Sequence, residues 1–61
     1  MLDIKQLTLD QKIETATRIT DSSLPLNTIY SQDDETLILT DNGGMKRVLF
    51  DFVENSIEIL H

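Results

Sequence analysis

An α+β fold, with one N-terminal helix packed on a four-stranded antiparallel β-meander, is predicted by three features of this 61-residue sequence. A helix-start signature at Thr8 precedes a stripe of apolar residues; an Asn-Gly pair sits between two runs rich in β-branched, aromatic and aliphatic side chains; and two further short strand-like runs flank that hairpin. Only a layered arrangement of helix on sheet buries the apolar sheet face such a meander creates.

Residues 1–7 fit two patterns, since Leu2, Ile4 and Leu7 can begin a helix or form a short extended lead-in. From Thr8 the pattern is sharper. Thr8 and Gln11 have capping-box spacing, Asp10 lies in the first turn where the helix dipole favours it, and Leu9, Ile13 and Ala16 share one stripe. A helix over about residues 9–19 follows. Thr15, Thr17 and Thr20 lower its intrinsic propensity, so packing against the sheet must hold it.

Asp21-Ser22-Ser23-Leu24-Pro25-Leu26 reads as a connector, because Asp and Ser bond locally to the backbone and Pro25 biases Leu24 toward an extended conformation. Asn27 to Ser31 is the first strand, and pairing Ser31 with Thr36 across Gln32-Asp33-Asp34-Glu35 places Tyr30 beside Leu37 on the core face. Thr36 to Thr40 and Met45 to Val53 form the central hairpin, with Asn42-Gly43 as a turn whose two residues both take φ > 0. With Thr40 opposite Met45, Leu37, Leu39, Val48, Phe50 and Phe52 face the core. Ile38, Arg47, Leu49, Asp51 and Val53 then face the other way, a mixture suited to partial exposure or a partner. Asn55-Ser56 is the last turn pair, and Ile57 to Leu60 the last strand, with Ile57 and Ile59 joining the core side.

A single domain of this length lies near the lower limit at which one apolar core outweighs chain entropy, so marginal stability or oligomerisation is expected. The chain has no cysteine, and its apolar runs are too short for a signal-peptide core or a membrane span, so a soluble, cytosolic protein is expected. Eleven Asp and Glu against five Lys and Arg give a formal charge of −6. That balance argues against direct binding of nucleic acid or of anionic membranes, both of which need a basic footprint. It suits either simple solubility or presentation of carboxylates to a basic partner.

Residues for catalysis or metal binding are sparse. His61 is terminal and stands without Cys or a second His, so no metal site or cofactor is expected. Asp33-Asp34-Glu35 lacks the alternating ligands and central Gly of a calcium loop and reads as a solvated hairpin loop. Ser22, Ser23, Ser31 and Ser56 have no His-carboxylate pair to activate them, Gly43-Gly44 lacks phosphate-loop spacing, and Lys46-Arg47 is too small a basic patch for nucleic acid. A binding protein is expected rather than an enzyme.

Lys12-Ile13-Glu14-Thr15 with Asp21-Ser22-Ser23-Leu24, Asn27-Thr28-Ile29-Tyr30 with Leu37-Ile38-Leu39-Thr40, and Val48 to Leu60 together resemble, in patches separated by gaps, the small phage uracil-DNA glycosylase inhibitors. The resemblance implies a DNA mimic that occludes the basic groove of a host uracil-DNA glycosylase. Asp21 and Ser22 would stand at phosphate positions, and Asp33, Asp34 and Glu35 would form an acidic rim. An apolar pocket for one protruding side chain of the enzyme would lie between Leu9, Ile13 and Ala16 on one side and Tyr30, Leu37 and Leu39 on the other. Ser23 stands where the family has Ile, and the family's second helix has no counterpart here. The pocket residues also suit an ordinary core, and Asp21-Ser22 a plain helix-exit turn. Inhibition of another host DNA-processing or defence enzyme would use the same acidic face. The competing class is a small assembly module that dimerises through a sheet edge or through Ile38, Leu49, Val53 and Leu60.

Overall fold

The computed structural model describes residues 3–61, so Leu2 lies outside the described residues. The lead-in is neither of the two expected forms but a single 3₁₀ turn, Ile4–Gln6, capped by the Asp3 carboxylate, which accepts from the Lys5 N–H at 3.0 Å. It is tied down from far along the chain: Asn55 Oδ1 accepts the Ile4 N–H at 2.8 Å, and the Ile4 side chain is buried. Helix α1, Leu9–Thr20, begins where the capping box places it. Thr8 Oγ1 accepts the Gln11 N–H at 3.1 Å, and Gln11 Oε1 accepts the Thr8 N–H at 2.8 Å. It ends in a Schellman turn, with the Ser22 N–H donating to Thr17 O, the Asp21 N–H to Arg18 O, and Asp21 in the left-handed region at φ 55°.

Strands β1 (Thr28–Gln32), β2 (Thr36–Thr40), β3 (Arg47–Asp51) and β4 (Ser56–Leu60) form an antiparallel sheet in the order β1-β2-β3-β4. The fold is therefore α+β, one helix on a four-stranded meander. Both loops flanking β3 are wider than expected. Thr40 pairs with Arg47 rather than Met45, and Asp51 pairs with Ser56, so Asn55-Ser56 is not a two-residue turn. Asp41 is the reason at the first loop. Its backbone O accepts the Gly44 N–H, its carboxylate accepts the Met45 N–H at 2.9 Å, and its N–H donates to Lys46 O, while only Gly44 takes positive φ, at 69°. Asp51 acts alike at the second, its carboxylate accepting the N–H groups of Val53 and Glu54.

One face of the sheet carries Leu37, Leu39, Val48 and Phe50, each at most 2% exposed, closed by Ala16, Leu26 and Ile4, with Leu7, Ile13, Phe52 and Ile57 packed around them. Phe52 does so from the β3–β4 turn, where Lys12 Nζ lies 4.9 Å from its ring centroid. Of the expected core placements, two are only partly buried and one fails. Leu9, on the same stripe of α1 as Ile13 and Ala16, is 45% exposed in the first turn; Ile59, opposite Val48 on the core side, is 40% exposed on the edge strand β4; and Tyr30 points outward at 67% exposure. Tyr30 is the extra residue of a bulge between Ile29, paired with Leu39, and Ser31, paired with Ile38 rather than Thr36. The opposite face holds Ile38, Arg47, Leu49, Asp51 and Leu60, all partly exposed, while Val53 belongs to the exposed turn instead. No helix among the described residues is long and apolar enough to cross a membrane.

Candidate partner-binding surface

Asp21 and Ser22 follow directly from how α1 stops. The left-handed residue that closes a helix is normally Gly; Asp tolerates that conformation, and its use here projects a carboxylate at the helix end. Asp21 is exposed, and its carboxylate accepts no hydrogen bond among the described residues. Ser22 is half-buried, its hydroxyl 2.9 Å from Thr20 Oγ1. Both sit beside the β2–β3 loop, since Ser22, Ser23 and Leu24 line one shallow recess with Asp41 and Lys46.

Asp33, Asp34 and Glu35 lie at the other end of the sheet, one strand length away, about 17 Å for five residues. They meet the β3–β4 turn there, because the Phe52 N–H donates to Glu35 O at 2.7 Å. Asp33 is committed to the loop. Its Oδ1 accepts the Glu35 N–H at 2.8 Å, the Thr36 N–H at 2.7 Å and the Thr36 hydroxyl at 3.1 Å. The two backbone donors, Glu35 first, hold its pKa below the ordinary 3.8, with the Thr36 hydroxyl adding to them against a small opposing desolvation. Asp51, Glu54 and Asp3 gather at the same end, through the β3–β4 turn and the contact of Ile4 with Asn55. The carboxylates expected to act as one surface thus occupy two.

The expected pocket does not assemble. Ala16, Leu37 and Leu39 are sealed in the core, and Leu9 and Tyr30 lie out on the surface, so these residues enclose no space. Leu9 does share a stripe with Ile13 and Ala16, but it stands in the first turn of α1 and stays 45% exposed, while Thr17 and Thr20 turn inward beside Ala16. An apolar groove of about 330 Å³ lies instead on the far side of Ile13, lined by Asp10, Ile13, Glu14, Thr17, Arg18 and Pro25. Pro25 reaches it because Thr17 Oγ1 accepts the Leu26 N–H at 3.0 Å and so straps the connector along the helix. Asp10 and Glu14 stand one helical turn apart on its border, and Asp21 lies seven residues beyond Glu14, on the same side. Arg18 interrupts this row and pairs with Glu14 at 3.2 Å, with both side chains largely exposed. Pro25 and Thr17 were not expected to line a site. The signal was the Pro in a connector short enough to run back along the helix.

Among the described residues no group of three or more His, Cys, Asp or Glu is placed to hold a metal ion. The sequence matches no protein-family model, and no curated protein or solved structure matches the chain.

Proposed function

We propose that this chain is a non-catalytic, stoichiometric inhibitor that imitates DNA and occludes the basic groove of a host DNA-processing enzyme, with uracil-DNA glycosylase the first target to test. The observation that carries this is the apolar groove along α1 with Asp10 and Glu14 on its border, on a helix that ends in the exposed carboxylate of Asp21. Carboxylates at phosphate-like positions recruit Arg and Lys through charge-assisted hydrogen bonds, while an apolar cleft takes one protruding side chain as a desolvated hot spot. The acidic charge speeds encounter and weakens with salt; the apolar contact slows dissociation. This mode needs no cofactor and no turnover.

The test is uracil excision from a single-stranded uracil-containing oligonucleotide by purified bacterial glycosylase, titrated with the protein and with Asp21→Lys and Ile13→Ser variants checked for folding. Complete inhibition near one equivalent, weakened by either substitution, supports the proposal. Absence of inhibition at large excess rejects the named target.

A second reading is favoured by one feature of the sheet. Its helix-free face bears Ile38, Leu49 and Leu60 around Arg47, whose Nε is buried without a hydrogen-bond partner. A second copy laid on that face would make the protein an assembly module. Concentration-dependent mass in light scattering would favour the dimer, and a monomer at all concentrations the inhibitor.

A further inference from the structure

The tip of the β2–β3 loop joins the one Asn-Gly pair in the chain to a backbone that leaves it unheld. The loop is anchored on Asp41, which bonds to Gly44, Met45 and Lys46, and these bonds bracket Asn42 and Gly43 without using them. Both residues are exposed, and the Gly43 N–H donates to no acceptor among the described residues. The Asn42 side chain has a single contact, Thr28 Oγ1 to its Oδ1 at 3.4 Å, beyond the usual range for a hydroxyl donor. Gly43 carries no Cβ to shield its nitrogen or to restrict rotation toward the side chain.

We propose that Asn42 is a site of spontaneous deamidation through a succinimide closed by Gly43. The Gly43 amide nitrogen attacks Asn42 Cγ and gives up its proton; the Cγ–Nδ2 bond breaks and ammonia leaves. Water then adds to one of the two ring carbonyls. Opening at the main-chain carbonyl leaves isoaspartate, and opening at Cγ leaves aspartate. The balance is one water consumed and one ammonia released, with no change of oxidation state. The product adds one negative charge to a chain of formal charge −6, beside Asp41 and Lys46 and close to the Asp21–Ser22 end of the helix.

The other two asparagines are protected by their surroundings. Asn55 Oδ1 is engaged by the Ile4 N–H at 2.8 Å, and the next residue, Ser56, is paired in β4 with Asp51. Asn27 precedes Thr28, whose branched side chain crowds the attacking nitrogen and whose backbone is paired with Thr40. Modification is therefore confined to the loop.

The experiment is incubation of the folded full chain in mildly alkaline buffer, followed by intact mass, peptide mapping and isoaspartate detection. A gain of about one dalton is expected, mapping to residues 41–46, with isoaspartate present. Gly43→Ala is the decisive variant. Its Cβ would lie 3.6 Å from Met45 Cγ and 3.9 Å from Asp41 Oδ1, ordinary contacts, and Gly43 does not take positive φ, so the fold is kept. Its deamidation should be slower by roughly tenfold or more, since the Cβ obstructs both approach and rotation. Asn42→Gln, which would need a six-membered ring, should stay unmodified. Mass gain at Asn27 or Asn55, an unchanged rate in Gly43→Ala, or protection of Asn42 in the folded chain while a urea-unfolded sample reacts would each overturn the proposal.

Discussion

Thr17→Val replaces a hydroxyl by a methyl at nearly constant volume, and Val and Thr have similar helix propensities, so the substitution removes the hydrogen bonds of the hydroxyl and little else. Thr17 Oγ1 accepts the Leu26 N–H at 3.0 Å and donates to Ile13 O at 2.8 Å. Leu26 is fully buried, so water does not replace the lost acceptor without opening the strap between helix and connector. A buried donor left unpaired costs about 1–3 kcal/mol. A chain of this size has only about 3–9 kcal/mol in total at the usual stability per residue. At roughly 4–8 °C per kcal/mol for small domains, the melting temperature should fall by at least about 4 °C. Thr17→Ser keeps the acceptor and loses one methyl, a change of about 0.8 kcal/mol. Circular-dichroism melts and urea titrations of the three proteins measure both differences. If Thr17→Val lies within about 0.5 kcal/mol of the parent, the size of a neutral surface change, or if Thr17→Ser is equally destabilised, the strap does not hold the connector as argued.

Two other outcomes follow from the charged groups. Asp33→Asn should lower the melting temperature at neutral pH by weakening three accepted hydrogen bonds. Because the folded pKa lies below the ordinary 3.8, the stabilisation is present above that value and is lost as pH falls through the folded pKa, so melts of parent and variant should converge in acid. Arg18→Glu removes the cation that interrupts Asp10, Glu14 and Asp21, and should speed association with a basic target and steepen its salt dependence in stopped-flow mixing; a slower association would place the contact elsewhere.

Much of the fold is legible because it rests on local chemistry. The Thr8 and Gln11 side chains mark the helix start by the bonds they make, and β2 appears at its expected bounds, Thr36–Thr40. What misled at the helix was treating Thr15, Thr17 and Thr20 only as weak helix formers. Their hydroxyls donate to the carbonyls of Gln11, Ile13 and Ala16, and Thr17 also receives the connector, a role that depends on a residue nine positions away. The candidate groove was illegible for the same reason, since Pro25 and Ile13 meet only through that strap.

The sheet shows why faces are easier to read than register. Opening the β2–β3 loop moved the partner of Thr40 from Met45 to Arg47, a slip of two residues, and two is the period of side-chain alternation. Leu37, Leu39, Val48 and Phe50 therefore stayed inward although every pair was misassigned. The β3–β4 junction slipped by an even number as well, so Ile57 and Ile59 stay on the core side, now opposite Phe50 and Val48. In β1 the difference is one residue. The bulge at Tyr30 returns Ser31 to the outer face beside Ile38 while Ile29 pairs with the inward Leu39, and the aromatic ring between them is expelled. A bulge is a property of the pairing, and the adjacent apolar residues of Thr28-Ile29-Tyr30-Ser31 do not say which of Ile29 and Tyr30 faces inward. Tyr30, expected to line one wall of a pocket, was thus a residue that sequence periodicity could not orient.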